Sequence, residues 1–344
     1  VVAIGMGLMG LTSGSQPLTT KKIAVLMFKP RNYGTEWVDR TAVRSAVWTD
    51  SASASKFYQE ESFGKWTLEG AIERDGDVFG WYSIPFDDDG TCVSPQWRSW
   101  ARMEAAKEGF DEARYDAVIF VSAATGCAGR AWTSGRNVTV ISGFTAPTIM
   151  HELGHAFGLP HARAWVCEDA SGAKVSISST CTASEYGDYA VMGATTSFHM
   201  NGFQKGALGF LKATNTTDVT ASGVYALHSI ERGTREAQVL RIPRTSDRDG
   251  NIRDYYYLEL RQPYGFDAFA PTSPYVNGIS IRVAPEYTDR GSPSYLLDTT
   301  TPAATGFGDA PLKLGATFTD ADRRVNITAM SISGGVAQVR VDFF

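Results

Sequence analysis

The chain has 344 residues, 43% of them hydrophobic and 20% charged, and carries a formal net charge of -5. This balance excludes a disordered or collagenous chain and argues against a nucleic-acid partner. The length implies two cores rather than one.

The first 20 residues form a segment of their own. Val1 to Leu11 is apolar and glycine-rich, lacks the positive start of a signal peptide and is too short to span a bilayer. It reads as the start of a processed chain or the remnant of a leader, and no membrane span is expected.

Residues 21–213 alternate between the two hydrophobic periods. Lys22 to Phe28 is a buried-strand pattern, and Ala52 to Gly64 reads as a helix with Phe57 and Tyr58 facing inward. Trp66 to Ile72 and Tyr115 to Val121 are further strands, separated by a helical stretch from Trp97 to Phe110. Strands at 128–132 and 137–141 flank a Ser134-Gly135-Arg136 turn, a hairpin whose edge is expected to rim a cleft. Such an edge can pair with an extended peptide through main-chain hydrogen bonds.

Directly afterwards comes His151-Glu152-Leu153-Gly154-His155-Ala156-Phe157-Gly158-Leu159-Pro160-His161, which holds three of the five histidines. Residues four apart share a helix face, so His151 and His155 point at one ion, with Glu152 beside them. Gly158 ends the helix by accepting a left-handed conformation and Pro160 blocks its continuation, which lets His161 return as a third ligand. Three imidazoles leave the fourth position of a tetrahedral Zn²⁺ open, the pattern of a catalytic site with Glu152 as general base. Downstream, Tyr186 to Gly193 resembles the methionine-containing turn of metzincin peptidases, a likeness that implies Met192 as an apolar floor beneath the imidazoles.

The zinc motif, with Tyr186-Gly187-Asp188 and Val191-Met192-Gly193, resembles the gametolysin-like branch of the metzincin peptidases. Phe198-His199-Met200-Asn201, Gln204-Lys205 and Leu208-Gly209-Phe210 resemble the helix that follows in those proteins. Tyr256 to Glu259, Arg261-Gln262-Pro263 and Tyr295 to Asp298 resemble their C-terminal region. The likeness covers roughly residues 21 to 344 and implies a secreted zinc metalloendopeptidase acting on extracellular matrix or cell-wall proteins. It also implies a mixed twisted sheet with a zinc helix and a Met-turn. The chain has Ala194 where astacin-like and serralysin-like metzincins place a tyrosine two residues after the methionine, so the oxyanion is expected to be held by zinc itself, with another nearby donor as an addition. His199 is favoured for that role over Tyr186 and Tyr189, which are assigned to the substrate pocket. Ala162, after the last ligand, also departs from the other branches.

Cysteines stand at 92, 127, 167 and 181, an even set that reads as two disulfides and an oxidising compartment. Three pairings are possible. Cys167 with Cys181, leaving Cys92 with Cys127, is favoured because it closes the loop between the third ligand and Met192. Four reduced thiols are the alternative.

From residue 214 onward short alternating runs are separated by Gly, Pro, Asp and Asn, the texture of an all-β sandwich. They include 224–228, 238–242, 255–260, 279–283, 325–332 and 337–343, with an Asp249-Gly250 hairpin turn. Asp87-Asp88-Asp89-Gly90 and Asp247-Arg248-Asp249-Gly250 lack the EF-hand spacing and read as solvated turns, with a Ca²⁺ site as the alternative. Asn137, Asn215 and Asn326 begin glycosylation sequons. Two readings compete with the endopeptidase: a glycan-gripping extracellular binding protein, and a peptidase confined to small peptides.

Overall fold

The computed structural model describes residues 18–90, 95–124, 131–193, 197–301 and 306–344. Cys92, Cys127, Ala194 and all but the last three residues of the N-terminal segment lie outside them.

A first sheet is built from β1 (Thr19–Pro30), β2 (Trp66–Glu69), β3 (Asp77–Ile84), β4 (Ala117–Ser122), β5 (Ala131–Ser134) and β6 (Asn137–Val140). The order is β2-β1-β4-β6-β5, with β3 also on β1, and only the β5–β6 pair is antiparallel. Helices α1 (Arg40–Arg44), α2 (Ala54–Glu61), α3 (Pro95–Ala106) and α4 (Ala146–Ala156) cover it. β1 has apolar residues on both faces because both are covered. Ile23, Val25 and Met27 share a core with Phe57, Tyr58, Ile149 and Leu153 of α2 and α4. Ala24, Leu26 and Phe28 pack with Trp97, Ala101 and Ala105 of α3.

The second part comprises β7 (Ala162–Glu168), β8 (Lys174–Val175), β9 (Thr180–Ser184), α5 (Gly202–Ala207), β10 (Thr216–Asp218), β11 (Gly223–His228), β12 (Val239–Ser246), β13 (Ile252–Leu260) and β14 (Gly278–Ala284). It continues with β15 (Ser294–Leu297), β16 (Leu312–Lys313), β17 (Thr317–Asp320), β18 (Val325–Ser333) and β19 (Val336–Phe343). A nine-stranded sheet runs β10-β12-β13-β14-β15-β7-β8, with β16 on β14 and β9 on β7. A four-stranded sheet runs β11-β19-β18-β17. Leu240, Ile242, Leu258 and Ile281 of the larger sheet share one core with Leu227, Ile327, Val339 and Val341 of the smaller. The period of two sends Val239, Tyr255 and Tyr257 to the other face, against Phe203 of α5.

The molecule is therefore mixed α/β with a β-rich C-terminal region. A boundary at 213 does not divide it in space, because β7, β8 and β9 precede that residue yet belong to the nine-stranded sheet. β7 pairs in parallel with β15, Ala162 opposite Ser294 and Trp165 opposite Leu297. Neither β3 nor these three strands was expected from the sequence. Cys167 and Cys181 form a disulfide between β7 and β9. Among the described residues no helix is long and apolar enough to cross a membrane.

Asn215 is buried, and its side-chain amide donates to Thr234 O and Glu236 O, so a glycan has no place there.

Candidate metal centre

Thr145 caps α4 by accepting from Thr148 N–H, Pro147 sits in the first turn, and the helix ends at Ala156. Gly158 has φ +96°, the left-handed conformation that turns the chain back toward Pro160 and His161. The expected convergence follows: His151 Nε2 and His155 Nε2 lie 3.1 Å apart, and ligand atoms of all three histidines fall within 4.8 Å of one another.

The opposite ring nitrogens are all engaged. His151 Nδ1 lies 2.7 Å from Val191 O, His155 Nδ1 2.7 Å from Leu159 O, and His161 Nδ1 2.6 Å from Glu185 Oε1. A carbonyl or carboxylate oxygen accepts only, so each Nδ1 carries the hydrogen and each Nε2 presents its lone pair. Burial presses the His151 imidazolium down to about 4, aided by the neighbouring histidines and opposed by the Val191 carbonyl. Burial likewise lowers His155. Three imidazoles facing one point fit a cation, and an all-nitrogen set suits Zn²⁺ among other transition metals.

Glu152 is buried at the same place, with Oε2 accepting from Thr133 Oγ1 at 2.7 Å. Burial raises its carboxyl above the ordinary range, while the Thr133 hydrogen bond and His161 pull the other way. Thr133 belongs to β5, the open edge of the first sheet. The edge strand, α4 and Pro160 enclose a cavity of about 910 Å³, which Tyr186 and Gly291 complete. Gly291 reaches it from the loop between β14 and β15.

Met192 is fully buried, and its Sδ occupies the space that a Cβ on Gly154 would need. Glycine at 154 thus lets the methionine pack against α4. Met192 O accepts from Ala162 N, and Val191 N donates to Phe198 O, which tie this segment to both flanks. Asp188 anchors its start through a bidentate ion pair with Arg282 and a hydrogen bond from Asn201 Nδ2.

Two expected site residues are elsewhere. His199 is fully buried outside the cavity, with Nε2 2.6 Å from Glu60 Oε1 and Nδ1 3.0 Å from Lys205 Nζ. Both nitrogens are committed to a bridge between α2 and α5, so the oxyanion role for His199 is corrected to a structural one. Desolvation works to raise Glu60, yet hydrogen bonds from His199 and Phe266 N–H outweigh it and hold the carboxyl below its usual range. Tyr189 packs on Tyr275 within a separate aromatic cluster and does not line the cavity, whereas Tyr186 does and lies against the His161 ring.

The acidic turns are satisfied locally. Asp87 pairs with Arg31, and Asp247 accepts from Asp249 N–H, Asn251 N–H and Asn251 Nδ2. Among the described residues His151, His155 and His161 are the group of ligating side chains able to hold a metal ion. Thr133 and Glu185 were not singled out from the sequence, and Asp188 was named only within the Tyr186-Gly187-Asp188 likeness, with no role of its own. They are solitary polar residues whose partners come from the fold.

No family model and no curated protein matches the chain. Among solved structures, one described as "Structure of a chaperone-substrate complex" aligns at 17% identity with a TM-score of 0.28. The match covers 41% of this chain and 27% of that one, and it carries no argument about fold or function.

Proposed function

We propose that this chain is a secreted zinc metalloendopeptidase of the gametolysin-like metzincin kind, with α4 as its zinc helix and the segment around Met192 as its Met-turn. The observation that carries this reading is the convergence of three Nε2 lone pairs, each fixed by a partner on Nδ1, beside a buried glutamate in one open cavity. A zinc ion in such a site would supply Lewis-acid chemistry, lowering the pKa of water to about 7 and polarising a carbonyl.

The chain's own residues do the rest. Glu152, oriented by Thr133, takes a proton from the attacking water and passes it to the leaving amine. Its raised pKa suits a group that must both accept and return a proton near neutral pH. An extended substrate pairs along the outer edge of β5, which has no strand partner among the described residues, and selectivity is left to side-chain contacts such as Tyr186. Extracellular matrix or cell-wall proteins are the proposed substrates, a choice resting on the resemblance. The sheet shared by β7 and β15 weighs against a C-terminal part acting as an independent binding module.

The test is cleavage of gelatin or casein by wild type and Glu152→Ala, each with and without a chelator, with bound zinc quantified. Internal cuts that stop with chelator, and a Glu152→Ala protein that keeps zinc but does not cut, support the reading. A wild-type protein that holds no zinc overturns it.

A further inference from the structure

The three histidines are not held alike. His151 and His155 donate Nδ1–H to main-chain carbonyls, which no side-chain substitution removes. His161 instead depends on the carboxylate of Glu185, a half-exposed residue 24 positions away.

The hairpin of β7 and β9 sets this meeting. His161 immediately precedes β7, and Glu185 immediately follows β9. The strands run in register from Ala164 opposite Ser184 to Glu168 opposite Thr180, with the Cys167–Cys181 disulfide bridging one of those pairs. Both residues therefore emerge side by side at the end of the hairpin that faces the cavity. Arg163, on β7, fixes the carboxylate from behind: Nε is 2.8 Å from Oε2, and Nη2 donates to Oε1 at 3.0 Å. Tyr186, the next residue, lies against the His161 ring with centroids 4.8 Å apart.

We propose that Glu185 is a positioning residue for the metal centre. Held by Arg163, it fixes the tautomer and aim of His161 and makes that imidazole a stronger donor through its negative charge. This inference rests on the zinc reading above. Outer partners of this kind contribute strongly to metal affinity while touching neither the metal nor the substrate.

The experiment measures zinc affinity of the purified full chain by competition with a chromophoric chelator, alongside thermal unfolding of the metal-free protein. Glu185→Ala is expected to weaken zinc binding roughly ten- to a hundredfold. Glu185→Gln keeps an oxygen able to accept from Nδ1 but loses the charge, so its loss is smaller. Arg163→Met falls between wild type and Glu185→Ala. Unfolding of the metal-free variants stays close to wild type, because the Glu185 side chain is 42% exposed. Wild-type zinc affinity in Glu185→Ala overturns the proposal and leaves the zinc reading standing. Equal losses in Glu185→Ala and in melting of the metal-free protein assign Glu185 a purely structural role and also overturn it. Absence of zinc from wild type overturns both.

Discussion

Arg282 of β14 and Asp188, four residues before Met192, form a bidentate ion pair with Nε and Nη2 at 2.6 and 2.8 Å and neither side chain exposed. Arg282 Nη1 is also 2.7 Å from Glu259 Oε1, so the guanidinium is shared between two carboxylates. Removing one member of a buried pair strands the other charge, at a cost of about 3–5 kcal/mol. Arg282→Met is expected to lower the denaturant midpoint accordingly. Adding Asp188→Leu recovers part of the loss, and Glu259 keeps Arg261, whose Nη1 lies 3.4 Å from Oε1, and the Gly202 N–H. Equal midpoints for the single variant and wild type would show that the pair gives no net stability.

His199→Ala is expected to leave zinc content and the pH profile of hydrolysis unchanged while destabilising the protein by about 3 kcal/mol. The substitution empties the bridge between Glu60 and Lys205 and leaves Lys205 with Glu61, 3.0 Å away, and the Phe63 ring. A variant that unfolds like wild type but cuts a hundredfold more slowly would return His199 to the chemistry.

Thr133→Val removes the donor to Glu152 Oε2 and keeps the shape. That hydrogen bond favours the ionised carboxylate against the effect of burial, so its loss raises the pKa further. The base must be ionised to accept a proton, and the acid limb of kcat/KM against pH therefore moves to higher pH. An acid limb that stays in place, or moves down, counts against Glu152 as the base.

Stability of the metal-free protein is expected to fall with pH in a defined window. His151 has a folded pKa of about 4 against an ordinary value of 6.5. Above 6.5 neither state binds the proton. As pH falls toward 4 the unfolded state binds it first, which costs the folded state up to ~3 kcal/mol. Unfolding midpoints of chelated wild type between pH 8 and 4 should show this decline, and His151→Ala should flatten it. Identical slopes in the two proteins would refute the assignment.

The triad was legible in the sequence because its geometry is local: four residues on a helix, then a left-handed glycine at 158. The supports were not, because they are tertiary. Glu185 meets His161 only through the register of β7 with β9, and Thr133 reaches Glu152 only from an edge strand. His199 misled by proximity in the chain to Met192; the fold turns it toward Glu60 instead. In the first sheet β1, β4 and the hairpin showed as apolar runs, while β3 was hidden because Asp77, Gly80 and Ser83 interrupt its apolar residues. β7 and β9 carry no clean alternation, since β7 finds its parallel partner in β15, more than a hundred residues later.

That pairing imposes an order on how the molecule is made. When the ribosome has delivered the chain as far as residue 213, all three imidazoles and Glu152 already exist, but β7 still has an unfilled edge where β15 will lie, and Asp188 has no guanidinium. The parallel partner of β7 and the buried Arg282 beside Asp188 are added only after β14 and β15 emerge. A nascent or prematurely terminated chain thus carries the three imidazoles and their hydrogen-bond partners while the sheet that holds β7 is still missing its later strands.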